Sequence, residues 1–245
     1  MKAYFLSDIH IQEPESSRAQ LFEAFLSSLL HEEFSDLFLL GDIFDLWIDE
    51  HSYFVRKYSR IISVLRELQQ KGVKIHYFEG NHDLYLERFW QDEMGVAVYG
   101  GPATFRFDSL KVRVEHGDQM DPEDRGYRFL RWLLRTPALR WLAHHLPEFI
   151  VVAIGEKSSQ KSRHYTTEVK TKTEEDIRQK IRLHAVRCLK KDRFDLLIAG
   201  HVHFREDFTI EYEGRTTRVI NLGTWLKEPT AFIVTPERQY FVEWA

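Results

Sequence analysis

Val73-Lys74-Ile75-His76-Tyr77-Phe78-Glu79-Gly80-Asn81-His82-Asp83 is the stretch on which the reading of this chain turns. Val73 to Phe78 is short, apolar and aromatic, the composition of a buried strand. It gives way at once to a glycine and three side chains able to hold a proton or a metal. The chain has two asparagines, Asn81 and Asn221, so an Asn at this spot is not ordinary turn usage.

Working outward, the same grammar recurs four times. Asp8-Ile9-His10 follows the apolar run Ala3 to Ser7, and Gly41-Asp42 follows Asp36 to Leu40. Glu115-His116-Gly117-Asp118 closes a strand starting at Lys111, and Gly200-His201-Val202-His203 follows Phe194 to Ala199. Helical apolar spacing spans Ser17 to Leu30 and Tyr53 to Gln70, the second stopping at Gly72. Strand, helix and strand at this pace predict βαβ units, an α/β protein with a largely parallel sheet. In such sheets ligands bind beyond the carboxyl ends of the strands.

Past Gly100-Gly101 the pattern shifts to short alternating strands, with hairpin-like runs at Phe208 to Tyr212, Thr216 to Leu222 and Phe232 to Val234. Arg125 to Lys172 interrupts them with aromatic, leucine-rich helical segments broken at Pro137 and Pro147. A helix from the capping box at Thr173-Glu174-Glu175-Asp176 to about Lys190 follows. This predicts one domain, 1–245, carrying a helical cap insertion at 125–190.

The hydrophobic share of 43% and charged share of 29% over 245 residues describe a folded domain, not a disordered chain. A net charge of −4 excludes a polybasic nucleic-acid binder. The single cysteine, Cys188, allows no internal disulfide, is read as excluding a zinc–thiolate site, and predicts a reducing, cytoplasmic setting. Met1 to Asp8 puts an acid where a leader needs a longer apolar core. The longest apolar run, Phe149 to Ile154, is far below the roughly 20 residues of a membrane span.

Asp, Asn and His without thiolate suit manganese, iron or zinc in hydrolytic chemistry. Two such ions roughly 3.5–4 Å apart can clamp both the attacking and the leaving oxygen of a phosphoryl transfer. Asp8, His10, Asp42, Asn81, His116, His201 and His203 supply the seven side chains a pair needs. Any one motif alone is more often a turn than a site. Five in order, each at a strand end, are not explained that way.

The series Asp-x-His, Gly-Asp, Gly-Asn-His-Asp, His-Gly-Asp and Gly-His-x-His resembles the calcineurin-like metallophosphoesterase superfamily from Asp8 to His203. The resemblance implies two packed sheets flanked by helices (α-β-β-α). It implies one ion on Asp8, His10, Asp42 and His203, and another on Asp42, Asn81, His116 and His201, with Asp42 bridging. Catalysis would involve Asp42 and His82, with a metal-bound hydroxide attacking and His82 donating near the scissile phosphate. The two divalent ions are expected to be Mn²⁺.

Gly41-Asp42-Ile43-Phe44-Asp45-Leu46-Trp47-Ile48, Asp124-Arg125-Gly126-Tyr127 and Asn221-Leu222-Gly223-Thr224-Trp225 are similar to the UDP-2,3-diacylglucosamine hydrolases of lipid A synthesis. These split the substrate's pyrophosphate into UMP and 2,3-diacylglucosamine 1-phosphate, and they carry a cap where the insertion lies here. That resemblance implies substrate contacts at Asp124, His82, Lys161, Arg163, Tyr165 and His201. His82 departs from it, because well-known members carry Arg there.

The insertion's own chemistry agrees: ten Lys or Arg against three Glu make Arg125 to Lys172 +7, leaving −11 elsewhere. Phe129, Leu130, Trp132, Leu133, Trp141 and Leu142 set apolar surface beside those cations, a pattern suited to anionic lipid or to acyl chains. The expectation is a monomeric enzyme on a lipid-linked nucleotide sugar, peripheral to the cytoplasmic face of the inner membrane, with no nucleic-acid partner. The alternatives are a soluble phosphodiesterase or nucleotide phosphatase and, third, a non-catalytic scaffold.

Overall fold

Four buried residues in a row, Ala3–Leu6, form the first strand, β1, and their side chains divide between two cores. Tyr4 and Leu6 face a helical layer while Ala3 and Phe5 face a second sheet, following the two-residue period of a strand. β2 (Asp36–Leu39) repeats this, with Leu37 and Leu39 on the helical side and Phe38 on the other. The computed structural model describes residues 2–155 and 173–244.

The strands that follow are β3 (Trp47–Ile48), β4 (Lys74–Phe78), β5 (Asp83–Leu84), β6 (Ala97–Tyr99), β7 (Ala103–Phe107), β8 (Leu110–Glu115), β9 (Leu196–Ala199), β10 (Arg205–Tyr212), β11 (Arg215–Leu222), β12 (Thr230–Val234) and β13 (Gln239–Glu243). One sheet runs β13-β12-β1-β2-β4-β6, with β1, β2, β4 and β6 parallel. The other runs β10-β11-β9-β8-β7, with β8, β9 and β11 parallel. Phe5, Phe38, Leu40 and Phe78 meet Val112, Val114, Ile198 and Ile220 between them.

Helices cover both outer faces. α1 (Ser17–Leu29) starts where Ser16 Oγ accepts from Ala19 N at 3.2 Å. It packs with α3 (Ser59–Gln70) on the first sheet. On the second sheet lies α7 (Glu174–Leu189), burying Ile181, Ala185 and Leu189 against Leu197 and Val219. This is the expected α-β-β-α layering.

The expected helix Tyr53 to Gln70 is two helices, α2 (Ser52–Lys57) and α3, parted at Tyr58. Tyr58 leaves helical geometry (φ −108°, ψ 22°) because its ring stacks on Phe44 at 4.2 Å and its hydroxyl donates to Ile11 O at 3.1 Å. The expected hairpin near residue 212 closes through Glu213 and Gly214, both with positive φ (49° and 72°), as a tight two-residue loop needs.

The insertion contains α4 (Arg125–Leu134), α5 (Pro137–His145) and α6 (148–155). Neither α4 nor α5 buries a residue. The span 125–190 read as cap therefore divides, since α7 is a layer of the main body. Among the described residues no helix is long and apolar enough to cross a membrane.

Candidate metal centre

The carboxyl ends of β1, β2 and β4 in one sheet and of β8 and β9 in the other meet along one edge. Gly200 N donates to His116 O at 2.8 Å within the second sheet. His201 N reaches across to Asp8 Oδ2 at 2.8 Å, tying the two sheets together. All seven side chains singled out from sequence sit on the loops of this edge.

The loop backbones are contorted to aim them. Asp8, His10, Asp42, His201 and His203 have φ of 52°, 51°, 53°, 69° and 56°, five of the nine non-glycine residues with positive φ among those described. Each such conformation costs on the order of 1–3 kcal/mol and persists where surrounding structure imposes it. Here the restraints are backbone bonds between loops: Asp8 N to Gly41 O (3.1 Å) and His10 N to Asp42 O (2.9 Å). Gly80 is required for packing: a Cβ there would overlap Asp42 Oδ1 and lie 2.7 Å from Asp42 N.

Donor atoms of Asp8, His10 and His203 lie within 4.8 Å of one another, and so do those of Asp42, His116 and His201. Asn81 joins the second group, its Oδ1 3.2 Å from His116 Nε2. Asp42 stands between the groups: Oδ1 accepts from Asn81 N and His82 N, both at 2.9 Å, while Oδ2 lies 3.8 Å from His10 Nε2 and 3.6 Å from His116 Nε2.

The donors fit cations better than they fit each other. His116 Nδ1 lies 2.6 Å from Leu40 O, which can only accept, so Nδ1 carries a proton. Nε2, the other ring nitrogen, faces Asn81 Oδ1 and Asp42 Oδ2, two acceptors that call for a proton or a metal ion at that point. Asp8 Oδ1 is buried 3.1 Å from His203 Nε2 without hydrogen-bond alignment. His10 Nε2 and His203 Nε2 point at each other across 3.1 Å.

The electrostatics agree. Burial alone would lower His116, but the Asp42 and Asp8 carboxylates hold it up at about 9. Burial pushes His10 and His201 down to about 4, the neutral ligand form. Asp42 stays well below its ordinary range despite burial, because His116, His82 and His10 face it. A buried field of this sign calls for positive charge.

His82 is buried beside this centre, its Nδ1 2.8 Å from Asp45 O and its ring edge-on to His10 at 5.0 Å. Asp45 has a carboxylate oxygen within 4.8 Å of His10 and His82 donor atoms, a placement the sequence motif contained but did not assign. Asp124 caps α4, accepting from Tyr127 N at 2.8 Å. Lys161, Arg163 and Tyr165 lie outside the described residues.

Sequence reading also left Asn221, Thr224 and Asp118 without roles. Asn221 Nδ2 donates to Gly200 O (2.8 Å) and Thr224 Oγ1 to Asp8 O (2.9 Å), so Asn-Leu-Gly-Thr-Trp braces two ligand loops. Asp118 Oδ2 accepts from Tyr127 Oη (2.8 Å) and Arg131 Nε (2.5 Å), fastening α4 to the His116 loop. Asp83 accepts from Ile43 N (2.9 Å) and Tyr77 Oη (2.8 Å) under the Asp42 loop. Their signal was adjacency to a motif.

Residues 1–205 match the model of the calcineurin-like phosphoesterase domain. The chain is 29% identical to the UDP-2,3-diacylglucosamine hydrolase of Pseudomonas paraeruginosa, covering 92% of this chain and 91% of that protein. It is 28% identical to the protein of that name from Vibrio atlanticus, covering 97% and 95%. Among solved structures, an archaeal phosphodiesterase aligns over 99% of both chains at 15% identity with a TM-score of 0.49. With its domain match spanning most of the sequence and its loops converging on one edge, the chain belongs to the calcineurin-like phosphoesterase family of metal-dependent hydrolases.

Proposed function

We propose that this enzyme hydrolyses the pyrophosphate bond of UDP-2,3-diacylglucosamine, with water, to UMP and 2,3-diacylglucosamine 1-phosphate. The observation that carries the phosphoryl chemistry is Asp42 Oδ2, which belongs to one three-residue donor group and lies 3.8 Å from His10 Nε2 of the other. The substrate is supported by relatives of that name aligned over nearly the whole chain, and by the insertion's surface.

Asp8, His10, Asp42 and His203 would hold one divalent ion, and Asp42, Asn81, His116 and His201 the other, with manganese the proposed metal. Such ions supply charge to the phosphoryl oxygens and lower the pKa of water. The chain's own contribution is orientation and proton placement. His82 donates Nδ1–H to Asp45 O, so its Nε2 would donate a hydrogen bond or proton beside the scissile link in the doubly protonated form of the ring. Asp118, through Tyr127 and Arg131, holds the base of α4 over the centre. Phe129, Trp132 and Trp141 are each more than 60% exposed on α4 and α5 and would meet acyl chains or the cytoplasmic leaflet of the inner membrane. Asp124 and His201 would contact substrate, as would Lys161, Arg163 and Tyr165, and the working unit is proposed as a monomer.

Purified protein incubated with UDP-2,3-diacylglucosamine and Mn²⁺ should release UMP. Rapid hydrolysis of bis(p-nitrophenyl) phosphate with no UMP would overturn the substrate and favour the soluble-phosphodiesterase reading that His82 suggests.

A further inference from the structure

A second convergence of metal-binding atoms lies one residue from the ligand loop and has no part in the chemistry above. Glu115, His184 and Cys188 bring Oε1, Nε2 and Sγ within 4.8 Å of one another. Cys188 Sγ is 3.4 Å from His184 Nε2, and Glu115 Oε1 touches the same nitrogen. All three are buried, with 3%, 7% and 6% of their surface exposed. The scaffold is rigid: Glu115 ends β8, and His184 and Cys188 stand four apart on one face of α7.

This is not the order of a nucleophilic triad, in which the imidazole uses one nitrogen for the thiol and the other for the carboxylate. Here both partners crowd Nε2, so the three atoms face a common point. Sulfur, imidazole nitrogen and carboxylate oxygen are the donor set of a borderline divalent ion in tetrahedral geometry. A thiolate and a carboxylate balance its charge, and Arg113 holds Glu115 from behind, Nη2 at 2.8 Å from Oε2. All three residues line a cavity of about 520 Å³, from which a water can complete the coordination.

We propose that Glu115, His184 and Cys188 form a mononuclear zinc-class site, separate from the seven-residue centre, with its fourth position open to that cavity. Binding replaces two protons, the thiol's and the one shared between His184 and Glu115, and both leave to solvent. Glu115 precedes His116 in the chain, so the two sites are neighbours at the end of β8.

Cys188 is the only cysteine, so thiolate–metal absorption reports this site alone. Chelator-treated protein reloaded with Co²⁺ should show a near-ultraviolet sulfur-to-cobalt charge-transfer band. The band should persist in Asp42→Asn and vanish in Cys188→Ser and His184→Ala. Zinc bound per chain should drop by one in Cys188→Ser, while its Mn²⁺-supported turnover of bis(p-nitrophenyl) phosphate stays within twofold of wild type. Cobalt-saturated wild type without the band, or an unchanged zinc count in both folded variants, overturns the site and leaves a buried ion pair.

Discussion

His203 holds φ at 56°, as four other donor residues hold similar angles, so conformational strain in this molecule concentrates on side chains that gain nothing from it in the fold alone. Glycine is ordinarily about 0.5–1 kcal/mol worse than alanine in regular structure. At His203 the order should reverse, with metal-free His203→Gly more resistant to urea than His203→Ala by about 1 kcal/mol. Equal midpoints would mean that the loop imposes no strain. Asp42→Asn keeps an oxygen for the Asn81 and His82 amides but loses the charge that faces both donor groups. It should fold, bind fewer than two metals by elemental analysis, and turn over next to nothing. His82→Ala should keep its metal and lose about 10²–10⁴-fold in turnover, the range of a general acid. A fall in metal content of the same size would make His82 a structural support.

The elements differ in how openly the sequence announced them. β1, β2, β4 and β9 were legible because a buried parallel strand is a short apolar block and each ends in a metal-binding motif. The break at Tyr58 was not, since a tyrosine pinned by a distant carbonyl looks like any other helical aromatic. α7 read as cap because it follows the insertion's helices directly, although its few apolar residues form a stripe on the second sheet. β13, Gln239–Glu243, lacks any motif and is fixed by pairing with β12 and by packing of Tyr240, Phe241 and Val242 on the two cores. Asp124 was legible as important without its physical task, helix capping, being visible. The cap proper is fastened by ion pairs at its base: Arg131 to Asp118 (2.5 Å), Arg135 to Glu79 (2.7 Å) and Arg140 to Glu87 (2.6 Å). Its exposed aromatics therefore contribute little to folding. Trp132→Ser with Trp141→Ser should shift unfolding by no more than about 0.5 kcal/mol per site. The same pair should raise KM for the diacylated substrate and weaken sedimentation with anionic vesicles, while turnover of bis(p-nitrophenyl) phosphate holds. An unchanged KM would remove the cap from lipid recognition.

At the scale of the whole molecule, two sheets and two helical layers must stay in register for loops from both sheets to share one centre. The first sheet is locked to its helices by a broad aromatic core around Trp47, Tyr58 and Trp90, whereas the second leans on α7 through a much smaller one. The buried His184–Glu115 contact sits in that thinner layer, and it titrates. Burial opposes a charge on His184, yet Cys188 and Glu115 as acceptors raise it to about 9, against an ordinary value near 6.5. A group raised on folding stabilises fully below its unfolded pKa and loses that contribution as pH climbs through the folded one. Glu115 is shifted downward after burial is offset by His184 and Arg113, so its contribution changes only in acid. In chelator-treated protein the stability gap between wild type and His184→Gln should therefore be widest at pH 6 and close between about pH 6.5 and 9. His116, which also titrates near 9, is common to both proteins and cancels in the comparison. Urea midpoints at intervals across that range measure the gap directly; one that stays constant would show that the proton on His184 does nothing to hold α7 against the second sheet.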